Sequence, residues 1–261
     1  MTRATASYTP KGPRYLMPAV TVLAVATLVA GAFYIRSPDM TLAPRMAEAP
    51  VILTDGSAIN VQKYEVTVAE WNTCHAAGGC SLALRATGNH AEVDMPATGL
   101  SFIDVAEYIT WINAATRMEF RLPTLAEWEH MAAEVLPPVP DPIFTDPELT
   151  WASAYLMEPL TKRTLRPRGS FATTSQGIVD LNGSVWEWTQ DCYVGAAEGQ
   201  LTPDRCPAFF VGGEHVAAMS YLVRDPARGG CAVGTPPAHL GMRLVSDRRW
   251  PTRLLKSNKG K

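Results

Sequence analysis

Cysteine is scarce in this chain, with five in 261 residues, and none of them stands in a C-x2-C pair. The five histidines, at 75, 90, 130, 215 and 239, are scattered. Tetrahedral zinc needs closely spaced thiolates and imidazoles, so this pattern argues against a zinc module. An excess of one charge is missing too: 23 basic side chains face 25 acidic ones, a formal net charge of −2. Without a basic face there is no electrostatic footprint for nucleic acid. The exception is the closing "DRRWPTRLLKSNKGK", with six basic residues against one acid, whose last part, residues 249–261, reads as a solvated basic tail. Low-complexity tracts are absent, and the length suits one sizeable domain with appendages.

A long apolar run is present once. From Leu16 to Ile35 the chain reads "LMPAVTVLAVATLVAGAFYI", twenty residues without a charge. At helical rise this spans about 30 Å, the thickness of a bilayer core. Arg3, Lys11 and Arg14 precede it, so residues 1–15 are expected in the cytoplasm and everything after Arg36 across the inner membrane. The "AGA" at Ala30 to Ala32 resembles a signal-peptidase site, which is the competing reading. Because the apolar run continues through Phe33, Tyr34 and Ile35, an uncleaved single-pass anchor is preferred. Either way the domain is exported.

The cysteines suit an oxidising compartment. Cys74 and Cys80 flank "HAAGG", and Cys192 and Cys206 flank a second short loop, so both pairs can close small disulfide rings. Cys231 is left over, either a buried small hydrophobe or a reactive thiol.

Residues 36–50, "RSPDMTLAPRMAEAP", lack apolar periodicity and read as a tether, with the folded domain expected over residues 51–248. "AINVQKYEVTVAEWNTC" opens with strand-like alternation and turns helical at Thr67, which is spaced with Glu70 as a capping box. "SFIDVAEYITWINAATRM" carries apolar residues at helical spacing behind Ser101 as N-cap. "RLPTLAEWEHMAAEV" begins a third helix at Thr124, with Glu127 completing another capping box. The proline-rich "LPPVPDPIFTDPELT" cannot be helical, and turns with short strand candidates follow. These elements predict an α+β domain with much irregular structure.

Six ordered motifs then carry a resemblance: "YEVTVAEW" (Tyr64 to Trp71), "MPATGLSFIDVAEYITWIN" (Met95 to Asn113), "FRLPTLAEWEHMA" (Phe120 to Ala132), "DLNGSVWEW" (Asp180 to Trp188), Gly212-Gly213, and "LGMR" (Leu240 to Arg243). Together they resemble the formylglycine-generating enzyme, or sulfatase-modifying factor, family. The resemblance implies a variant of the C-type-lectin-like fold. In the family's oxidases a cysteine pair shortly after a "GGS" motif holds copper(I) and activates oxygen, turning a substrate cysteine of a sulfatase into formylglycine. Soft thiolates suit copper(I) as no other side chain does. Here the segment reads "GGEHVAAMSYLVRDPARGGC": Glu214 replaces the serine, the pair would fall near Ala217 and Leu222, and no cysteine occurs between Cys206 and Cys231.

Copper is therefore not expected, nor is ordinary formylglycine generation. Altered chemistry would have to draw on Cys231, His215 and Glu214, with Met219, His215 and Cys231 as a conceivable copper set. A branch of the family that holds iron through histidines of an extra helical domain fits poorly, because only the apolar run and the tether precede Val51. The resemblance also implies a structural calcium ion held by Asp180, the carbonyls of Gly183 and Val185, and Glu187, hard oxygen ligands of the kind calcium takes. For a second calcium site the chain offers only Ser153 in "WASAY", a poor match. Arg224 with Arg228, and Arg243, match recurrent family arginines and are expected to tie loops to carboxylates such as Asp247 or Glu127. Arg163, Arg166 and Arg168 form a basic loop, read as solvated. Taken together, the expectation is a membrane-tethered accessory or binding module for a periplasmic protein, similar to family members encoded beside the copper nitrite reductases of denitrifying bacteria. The alternative is an enzyme of the family with altered metal- or thiol-dependent oxidative chemistry.

Overall fold

The computed structural model describes residues 37–136, 164–194, 206–226 and 237–248, together with the backbone of 231–233. Met1–Asp39 and Met40–Lys261 form separate compact units. The expected anchor at 16–35 lies outside the described residues, among which no helix is long and apolar enough to cross a membrane.

Three helices form where the capping signals predict them: α1 (Val68–Ala76), α2 (Phe102–Thr116) and α3 (Leu125–Ala132). Each starts with a complete capping box, Thr67 with Glu70, Ser101 with Asp104, and Thr124 with Glu127. In each box two N-terminal amide donors that the helix cannot satisfy internally find side-chain oxygens. α2 stops at Arg117, which takes the left-handed conformation at φ 54°.

Among the described residues eight short strands form: β1 (Val51–Ile52), β2 (Ala58–Val61), β3 (Val185–Tyr193), β4 (Ala208–Gly212), β5 (Ala217–Ser220), β6 (Cys231–Val233), β7 (His239–Gly241) and β8 (Val245–Ser246). They make a three-stranded sheet, β1-β2-β8, and a five-stranded sheet, β6-β5-β4-β3-β7. Only the β3–β7 pairing is parallel among these. The first half of β3 is buried on both faces, because α3 packs on it and on β4 while α2 aromatics cover the rest. The apolar core forms two clusters. One gathers Trp71, Tyr108, Trp186 and Trp188, and the other Val61, Trp128, Ile178 and Val245.

Both disulfides form, Cys74–Cys80 with a Cα separation of 5.4 Å and Cys192–Cys206 with 5.7 Å. The tether expected over 36–50 is corrected: the compact unit starts at Met40 with a 3₁₀ turn over Met40–Leu42. Met46 and Ala47 are buried, and Ala47 donates its N–H to the Val61 carbonyl at 2.8 Å. This stretch lacks periodicity because it adds irregular backbone along β2 rather than a helix or strand of its own.

Candidate functional site

Four of the six motifs converge on one buried carboxylate. Glu187 sits on β3 opposite Gly212 of β4 on one side and Gly241 of β7 on the other, so both neighbouring strands offer no side chain at its level. A Cβ on Gly212 would lie 2.2 Å from the Trp128 ring, and one on Gly213 would lie 2.4 Å from Trp186. The paired glycines thus let two tryptophans lie flat on the sheet. Trp128 in turn donates its indole N–H to Glu187 Oε2 at 2.9 Å.

Arg243, fully buried, closes the arrangement. Its Nε and Nη2 donate to Glu187 Oε1 at 3.0 and 2.7 Å, its Nη1 to the carbonyls of Gln62 and Lys63, and its Nη2 also to that of Val179. All five guanidinium protons are satisfied, which is what permits an arginine at zero exposure. One side chain therefore ties the β7–β8 connection to β3, to the end of β2 and to the loop before β3.

The charges do not balance inside this node. Glu65, buried, lies 3.7 Å from Arg243 Nη2, yet its Oε2 has no hydrogen-bond partner. Burial pushes its carboxyl up to about 8; Arg243 pulls it down, while Glu187 and Asp180 push it further up. A buried carboxyl with one oxygen unpaired holds its proton, since ionised it would be a desolvated charge beside Glu187 and Asp180. Glu65 lies in the "YEVTVAEW" motif, an acid between Tyr64 and Val66 with no local pattern that marks its burial.

The calcium set implied for this loop does not fit the geometry. Glu187 has both oxygens engaged by Arg243 and Trp128, and a guanidinium at 2.7 Å repels a cation from the same atom. Asp180, at φ 67°, accepts backbone N–H groups from Gly169 and Phe171 with its two carboxylate oxygens, pinning the turn that precedes β3. Its own carbonyl accepts the N–H of Gly183 at 2.8 Å. Among the described residues no group of three or more His, Cys, Asp or Glu is placed to hold a metal ion. Ser153 lies outside the described residues.

The arginine assignments also change. Asp247 and Glu127 are both held by Arg121, which forks onto Glu127 at 2.7 Å through each terminal nitrogen. Arg224 instead clamps Asp104 at 2.8 and 2.7 Å, linking the turn after β5 to the start of α2. Burial raises the Asp104 carboxyl, but the bonds from Arg224 and Ser101 outweigh it and leave it below its ordinary value. Arg163 and Arg228 lie outside the described residues. Arg168 lies over the Tyr64 ring at 5.1 Å and Arg166 over Phe171 at 6.0 Å, so these two are seated on aromatic faces rather than simply solvated.

Where an oxidase of the resembled family would carry its cysteine pair, Ala217 is fully buried in β5 opposite Val211, and Leu222 is 60% exposed in the turn beyond it. Glu214 and His215 are half-buried, and His215 meets the Trp186 ring edge-on at 4.4 Å. Met219 is fully buried, and the backbone of Cys231 lies opposite it in the β5–β6 register.

Comparison with known proteins fits this combination of motifs and fold. The sequence matches the Sulfatase-modifying factor enzyme 1-like domain over residues 17–248. The chain belongs to that family. Its fold is similar to that of PvdO from Pseudomonas aeruginosa, with a TM-score of 0.50 at 16% identity, covering 77% of this chain and 89% of that one. CarF (TM-score 0.46, 15% identity, 74% and 87% covered) and Treponema denticola variable protein 1 (0.48, 15%, 78% and 93%) are more distant in shape. No curated protein matches the chain. The family's motifs here build a structural node, Trp128–Glu187–Arg243, and the buried strand β5 is followed by an exposed apolar turn at Tyr221 and Leu222.

Proposed function

We propose that this member of the family works as a membrane-tethered accessory or binding module and not as a formylglycine-generating oxidase. The observation that carries the reading is the pair Ala217 and Leu222, one sealed in the core and the other exposed, with no sulfur at either position. The four cysteines whose side chains are described are all in disulfides. Copper(I) chemistry of the family's kind needs two thiolates side by side. The uncharged run from Leu16 to Ile35 supports a single-pass anchor in the inner membrane, and the two disulfides agree with a domain on the periplasmic side, where its partner would be a protein.

The test is direct. The full-length chain in detergent, incubated with copper(I), oxygen and a peptide carrying Cys-x-Pro-x-Arg, is expected to form no aldehyde. A copper-dependent aldehyde, detected by hydrazide labelling and mass spectrometry, would overturn the reading. The β5–β6 register favours a second one, an enzyme of altered chemistry, because Met219 and Cys231 are Cα partners on adjacent strands and His215 precedes them. That reading requires stoichiometric copper in the purified chain, lost on Cys231→Ala.

A further inference from the structure

A recess of about 200 Å³ lies between the 3₁₀ turn and helices α1 and α2, away from the Glu187 node. Leu42, Glu70, Tyr108 and Trp111 supply most of its chemistry. Its aromatic wall is rigid: Tyr108 stacks on Trp71 at 5.5 Å and meets Trp111 at 5.5 Å. Trp111 is itself clamped, since a Cβ on Gly79 would lie 2.5 Å from its ring and the Cys74–Cys80 disulfide closes the turn that carries Gly79. This explains why a glycine stands beside the second cysteine.

Two polar side chains, Glu70 and Tyr108, line the recess. Tyr108 is 2% exposed. Glu70 uses Oε2 to cap α1, accepting the N–H and hydroxyl of Thr67 at 2.8 and 2.9 Å. Burial raises the Glu70 carboxyl, the Thr67 bonds and the distant Arg168 charge opposing it. Glu70 in turn pushes the Tyr108 phenol up, after burial.

We propose that this recess binds a small organic ammonium group. A carboxylate beside fixed aromatic side chains is the combination that attracts an alkylated cation, through charge, ring electrostatics and apolar contact together. The volume is below the roughly 300–1,000 Å³ of pockets for drug-sized ligands, so only a compact head group or a single amine-bearing side chain enters. One wall is the turn at Met40–Leu42, so occupancy also bears on how the first residues of the domain are held.

The experiment uses the full-length chain in a maltoside detergent, titrated with tetramethylammonium, n-butylammonium and neutral tert-butanol, and followed by calorimetry and tryptophan fluorescence. The two cations are expected to saturate one site, with tert-butanol showing no saturable binding. Tighter binding of tetramethylammonium points to a free quaternary amine, and tighter binding of n-butylammonium to a lysine side chain. Glu70→Gln keeps an acceptor for the cap and the melting temperature, and is expected to weaken the cation about tenfold. Tyr108→Phe keeps the stack on Trp71 and is expected to weaken it less. Absence of saturable cation binding, equal binding of tert-butanol, or unchanged affinity in Glu70→Gln would each overturn the proposal.

Discussion

Glu65→Gln is the substitution that most sharply probes the buried charge node. Glu65 faces Arg243 at 3.7 Å, together with Glu187 and Asp180, and its Oε2 has no partner. Its carboxyl stands at about 8 in the folded chain against 4.5 as the ordinary value. Between those two values the folded chain keeps a proton that the unfolded chain has released. Stability supplied by that proton is therefore full below 4.5 and is lost as pH rises toward 8. Each pH unit in the window removes roughly 1.4 kcal/mol, and the whole window on the order of 5 kcal/mol. A glutamine is neutral throughout and should lack this slope. It leaves a buried amide incompletely bonded, which costs about 1–3 kcal/mol, but equally at every pH. Urea unfolding followed by tryptophan fluorescence at pH 5, 6, 7, 8 and 9 separates the two effects. The stability of Glu65→Gln relative to the parent chain should rise steadily from pH 5 to 8 and then level off. Parallel profiles for the two proteins would refute the assignment of a buried proton to Glu65.

Three further substitutions have expected outcomes. Arg243→Met strands Glu187 without its guanidinium partner in the core and should cost about 3–5 kcal/mol, whereas Arg121→Met, at a partly exposed site with Asp247 in water, should cost about 1 kcal/mol in the same denaturation assay. Gly212→Ala puts a methyl into the space of the Trp128 ring and is expected to cost about 1–3 kcal/mol and lower the melting temperature, with the Trp128 emission shifted.

The helices were legible residue by residue. Thr67, Ser101 and Thr124 each precede an acid by three positions, and each caps a helix where that spacing places it. Local hydrogen bonding sets these starts, and local sequence records it. The two disulfides were equally legible, because short spacings leave little choice of partner. The family was readable from motif order, since Gly212, Trp128, Glu187 and Arg243 keep their places along the chain even where the catalytic cysteines are gone.

What each of those residues does was decided by pairing over long separations. Arg121 and Glu127 are neighbours in sequence, but Arg243 with Glu187 and Arg224 with Asp104 are joined only once the strands and α2 have packed. Glu187, which the family resemblance implied as a calcium ligand, is an anion for Arg243 because β3 lies between two glycine-bearing strands that admit a guanidinium and an indole. The start of the domain moved from Val51 to Met40 for a similar reason, as Met46 and Ala47 are buried beside β2 without any periodicity to announce it. Sequence by itself determined the family, the helix starts, the disulfides and the loss of the cysteine pair, because those depend on residue identity and short spacing. Tertiary structure alone decided which acid meets which arginine and where a recess is left open, because charge partners and cavities are set by packing between segments far apart in the chain.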